Sequence, residues 1–189
     1  MAPILASRGG ISARAYGFTG GAPAVGDYES IQTVTGTGSS GVVTFTSIPS
    51  TYRHLQIRAT YFCSTTDNPY MRVGNGSIDT AGNYSWHHLY GNGSSANANS
   101  NGGSSFTYFG YSQNSTNPNV AIIDILDYAS TNKNKTFRIL AGQDNNGGGE
   151  IALWSGSWAN SSSAINTISF NTGGVFSTNS SFALYGLNG

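Results

Sequence analysis

The chain has 189 residues, enough for one domain of ordinary size around a single core. Only 8% of them are charged, and eight Lys and Arg balance eight Asp and Glu, so the net charge is zero. This excludes the basic footprint of a nucleic-acid binder or of an anionic-membrane binder, so neither is expected as a partner; zero net charge favours association over free diffusion.

Residues 1–27 (MAPILASRGGISARAYGFTGGAPAVGD) are rich in Gly and Ala and hold no period of 2 or 3.6. Five large apolar residues, Ile4, Leu5, Ile11, Tyr16 and Phe18, are spaced among small ones. Each contributes about 1.5–3 kcal/mol if a partner buries it, before ordering costs. The segment is therefore expected to be an anchoring peptide that orders against another chain; the alternative is that it lies along its own domain. The first thirty residues show no long apolar stretch, so synthesis in a cytoplasm without a secretion signal is expected. No apolar run approaches membrane-spanning length.

From Tyr28 the chain reads as strands separated by turn clusters, and residues 28–189 are assigned to one β-sandwich domain. YESIQTVT is followed by the turn GTGSSG and by VVTFTSIP, where Val43, Phe45 and Ile48 share a core side across a local irregularity. In RHLQIRATYF, residues Leu55, Ile57, Ala59 and Tyr61 alternate with His54, Gln56, Arg58 and Thr60, the mark of a half-buried antiparallel strand. NYSWHHLY and SFTYFGYS read as aromatic strands flanking GNGSSANANSNGGSS, which is expected to be an exposed loop because it has nothing to bury. NVAIIDILDY, KTFRILAGQD, EIALWSGSW, AINTISFN and SFALYGL complete about ten strands with no amphipathic helix. The fold class expected is all-β, an antiparallel β-sandwich of jelly-roll type.

The stretch DILDYASTNKNKTFR concentrates Asp124, Asp127, Lys133, Lys135 and Arg138 in a chain otherwise poor in charge. Its centre, YASTNKN, is turn chemistry between two apolar strands. Asp124 shares the face of Ile122 and Leu126, and Arg138 lies across the connection, positioned to pair with Asp124 or Asp127 and fix register or a subunit contact.

Reactive chemistry finds little support. A glycosidase needs two carboxylates facing a cleft, and the clustered candidates Asp124, Asp127, Asp144 and Glu150 fall mostly at strand ends and turns. WSGSW has Trp154 where a nucleophile elbow requires Gly. Adjacent His87 and His88 on a strand point to opposite faces and cannot both ligate one metal. DNNGGGE places Gly at the ligand positions of a calcium loop. Cys63 is the single cysteine, in an apolar run, and reads as a small buried hydrophobe. No catalytic residue, metal or cofactor is therefore expected. Trp86, Trp154 and Trp158 are candidates for stacking on a host surface glycan, with core or interface packing as the alternative.

YESIQTVT, VVTFTSIPSTYRHLQIR, DILDYASTNKNKTFR and SSFALYGLNG together resemble a family of structural proteins from the virions of tailed bacteriophages, cyanophages among them. The segments span Tyr28 to the last residue. The resemblance implies a non-enzymatic particle component: a head, neck or tail fibre or appendage, or a capsid-decorating protein, assembled in the bacterial cytoplasm. By analogy it also implies a homo-oligomer, a trimer, docked onto other virion proteins through residues 1–27. The alternative it leaves open is a host-receptor or glycan-binding module.

Overall fold

The structure is a computed structural model that describes residues 27–112 and 116–188. The expectations placed on Ile4, Leu5, Ile11, Tyr16 and Phe18 lie outside the described residues.

Thirteen strands form two antiparallel sheets among the described residues. The larger sheet holds β1 (Tyr28–Thr35), β3 (His54–Tyr61), β6 (Tyr84–Gly91), β7 (Ala96–Ser104), β9 (Asn119–Leu126), β10 (Lys135–Asp144), β11 (Gly149–Trp158) and β13 (Ser181–Leu187). Its spatial order is β1-β13-β3-β9-β10-β11-β6-β7. The smaller sheet holds β2 (Val42–Phe45), β4 (Tyr70–Asn75), β5 (Ser77–Ile78), β8 (Thr107–Tyr108) and β12 (Thr167–Asn171). Its order is β2-β12-β4, with β5 and β8 both paired to β4.

Setting aside β5–β7 and β10–β11, the remaining eight strands give β1-β13-β3-β9 in one sheet and β2-β12-β4-β8 in the other. The chain crosses between sheets at nearly every connection. This eight-stranded double sheet is a jelly roll. The hairpins β6–β7 and β10–β11 widen the larger sheet by four strands.

Period-2 patterning builds the core. Along β3 and β9 the burial alternates, with Leu55, Ile57, Ala59, Tyr61, Ala121, Ile123 and Ile125 inward. They meet Val43, Phe45, Met71, Val73, Ile168 and Phe170 of the smaller sheet. Phe182 of β13 stacks on Phe170 of β12 with ring centroids 5.0 Å apart, so one aromatic pair joins the layers. The irregularity expected between Phe45 and Ile48 is Ser47, held at φ 56°. It turns the chain so that Ile48 joins the core.

Two sequence expectations are corrected. The exposed loop at 91–105 is largely β7, nine residues paired to β6 from Gly91↔Ala96 to Tyr84↔Ser104. It is exposed on both faces up to Ser104, so backbone pairing and not side-chain burial holds it. SFTYFGYS contributes only the two-residue β8; its Tyr108 and Tyr111 rings pack under the widened part of the larger sheet, while Phe109 joins Phe170 and Phe182 in the core between the sheets.

Candidate functional site

The three tryptophans expected to meet a sugar are core residues. Trp86, Trp154 and Trp158 are 7%, 2% and 1% exposed. They sit on the inner face of β6 and β11. Trp86 packs against Tyr108, Trp154 packs against His88 and Tyr111, and Trp158 Nε1 donates to Asp79 Oδ2 at 2.8 Å. Rings buried in this way present no face for stacking, so the glycan contact expected of them is withdrawn.

The charged hairpin resolves into two separate groups. Arg138 and Asp124 stand opposite each other in the β9–β10 register, and Arg138 donates to Asp124 Oδ2 from Nη2 at 2.7 Å and from Nε at 3.2 Å. Gln56 Nε2 donates to the other carboxylate oxygen at 2.9 Å, and Gln56 Oε1 accepts from Tyr28 OH and Arg58 Nε. The Arg58 guanidinium lies over the Tyr28 and Tyr185 rings. One polar row thus crosses β1, β13, β3, β9 and β10 on the outside of the larger sheet. Because the Arg138 side chain is 73% exposed and Asp124 retains Gln56 as donor, Arg138→Met is expected to cost under about 1 kcal/mol, measured by urea unfolding. A larger loss would make this pair a determinant of strand register.

Asp127 pairs elsewhere. It occupies the left-handed region at φ 49° at the start of the turn and meets Lys133 at 2.6 Å. That ammonium holds its carboxyl below the usual range. His54 Nδ1 lies 3.8 Å from the carboxylate but accepts a hydrogen bond from the Asp127 backbone N–H at 3.0 Å. The imidazole thus fixes the turn through the Asp127 backbone. Asp124 and Asp127 face no common cleft.

Lys135 is fully buried. Its ammonium lies over the Trp158 ring and donates to the carbonyls of Asn160 and Ser163, while burial lowers its pKa. It fastens the 159–164 connection to the sheet. Among the described residues no group of three or more His, Cys, Asp and Glu is placed to hold a metal ion. Cys63 is buried, and burial raises its thiol pKa, the inert setting of a structural cysteine. DNNGGGE forms the β10–β11 hairpin turn, with Asn146 and Gly147 at positive φ.

The feature that sequence reading missed lies on the outer face of the larger sheet. Leu89, Val120, Ile122, Leu140, Ile151 and Leu153 all point outward there and are 42–62% exposed. The register sets Ile122, Leu140, Leu153 and Leu89 side by side in one row across β9, β10, β11 and β6. The adjoining row carries Val120, Gly142, Ile151 and Gly91. The two glycines leave a dent between bulkier neighbours, and a groove of about 710 Å³ opens over Arg58, Val120, Ile122, Leu140, Gly142 and Ile151. A monomer seldom exposes so continuous an aliphatic surface. The signal was present as unbroken apolar runs in NVAIIDIL and EIALW, but only the register makes the outward halves of those runs neighbours.

No protein-family model, curated protein or solved structure matches this chain.

Proposed function

We propose that this chain is a non-enzymatic structural component of a tailed-bacteriophage virion, a fibre, appendage or capsid-decorating protein. In this reading it docks onto other particle proteins through residues 1–27 and projects its jelly roll outward as part of a homo-oligomer. One observation carries the reading. The four segments that resemble phage structural proteins are scattered over the sequence, yet they supply β1, β2 with β3, the facing parts of β9 and β10, and β13. In space β1-β13-β3-β9-β10 is an uninterrupted block of the larger sheet. Apart from β2, which lies in the smaller sheet, the resemblance therefore falls on one continuous piece of the fold. The low charge and the aliphatic outer face support an assembling role.

The anchor is tested by removing residues 1–20. The shortened chain is expected to keep the thermal melting of the full chain and to disappear from purified particles, scored by mass spectrometry of the virion. Incorporation at the level of the full chain would overturn docking through this segment. Absence of the full chain from the particles would overturn the virion role.

A further inference from the structure

We propose that the outer face of the larger sheet, centred on Val120, Leu140 and Leu153, is where a second copy of this chain packs, sheet against sheet. The face deepens the assembly reading above and rests on it for the expectation that copies associate.

Area is the first support. From β3 to β6 the face spans five strands, and the outward rows, counting the polar row of Gln56, Asp124 and Arg138 that borders the two aliphatic ones, run over about eight residues. At roughly 4.8 Å per strand and 3.3 Å per residue this is on the order of 600 Å² of flat surface. A stable pair buries about 800 Å² on each partner, so one such face with its rim is of the right size.

Charge is the second support, and it selects a copy of the same chain. Arg58 stands at one corner of the apolar rows, next to Ile122 in the register, and Asp144 stands at the opposite corner at the end of β10. Neither belongs to an ion pair among the described residues, although Arg138 and Lys133 both find carboxylates nearby. In a two-fold pair every contact between different residues occurs twice. Val120 on β9 lies between the two corners, since it is opposite both Thr60 of β3 and Gly142 of β10. An axis lying in the interface over Val120 and running on toward Leu153 exchanges the corners. Each Arg58 then meets the other copy's Asp144 while the aliphatic rows cover one another. The strands of the two copies cross steeply, the orthogonal class of sheet packing. The geometry thus favours a two-fold contact, where the resemblance to phage proteins suggested a trimer.

Sedimentation velocity of the full chain at tens of micromolar tests the face. The unaltered chain is expected to sediment as a multiple of its mass. Leu140→Lys with Leu153→Lys is expected to yield the monomer with unchanged melting, because both positions are already exposed. Arg58→Asp and Asp144→Arg are each expected to weaken association about tenfold or more, and the two together to restore it. A leucine double variant that still assembles overturns this face and leaves the assembly reading to another surface. Failure of the combined charge reversal to restore association overturns the two-fold pairing. An unaltered chain that stays monomeric overturns both readings.

Discussion

Phe182→Ala is expected to remove about 4 kcal/mol of folding free energy. The ring is fully buried on β13. It stacks on Phe170 of β12 and on Tyr61 of β3, at centroid distances of 5.0 and 6.3 Å. Phe109 and Phe176 meet it edge-on. Truncation removes the transfer free energy of an aromatic side chain. It also leaves a void that two hydrogen-bonded sheets cannot collapse to fill, so the cavity penalty adds in full. Phe182→Leu retains most of the volume and is expected to cost under about 1.5 kcal/mol. Guanidinium unfolding measures both, as a shift of midpoint at constant slope. A loss below that of the leucine variant would mean that the layers do not meet through this ring.

Tyr84→Phe is expected to cost about 2 kcal/mol, although it deletes a single oxygen. One edge of β4 is covered at Tyr70 and Met71 by β8 and at Gly74 and Asn75 by β5, which leaves Val73 in the gap between them. The Tyr84 hydroxyl enters that gap from β6. It accepts from Val73 N at 3.0 Å and donates toward the carbonyls of Val73 and Asp79. Phenylalanine leaves a buried backbone N–H without a partner. Asp79 N still donates to Val73 O, so the carbonyl is spared and the loss stays moderate.

The same hydroxyl gives stability a dependence on alkaline pH. Burial raises the Tyr84 pKa, as it does for Tyr61, Tyr111 and Tyr128. A folded-state pKa above the unfolded value of about 10 means that this stabilisation is complete below pH ~10 and is lost as pH climbs through the folded value. Lys135 works in the opposite sense, because its lowered pKa makes the unfolded chain the stronger proton binder up to the ordinary lysine range. The phenols outnumber it, so unfolding free energy is expected to fall above pH ~10, and to fall less steeply in Tyr84→Phe. A fall of equal steepness in the two proteins would remove Tyr84 from this linkage.

Most of the sandwich could be read from alternation, because burying one face of a strand forces apolar residues to every second position. RHLQIRATYF is the clearest case, with all four expected core residues inward. The inward place of Lys135 follows from the same period, since it occupies the same every-second positions as Phe137, Ile139 and Ala141. What the period could not show was pairing without burial. ANANSNGGS carries no apolar side chain larger than Ala and becomes β7 solely because β6 offers it a free edge. Nor could composition separate exposed from enclosed aromatics. The indoles read as sugar platforms lie inside because Tyr108 of β8 covers Trp86, Tyr111 covers Trp154, and Asp79 and Lys135 meet Trp158. The outer aliphatic rows were hidden for a related reason: an apolar run looks the same whether its second face meets the core or solvent.

The widened sheet also bears on how quickly the chain reaches its native state. β11 sets Trp158 against Tyr84 and Ile151 against Gly91, partners separated by more than half of β6–β12 in sequence. Neither added hairpin completes this seam until the other has formed, and closing so long a loop costs entropy before any contact repays it. The jelly-roll half consists largely of long-range pairings of the same kind. Acquisition of the native state is therefore expected to belong to the slow, millisecond-to-second regime of β-proteins.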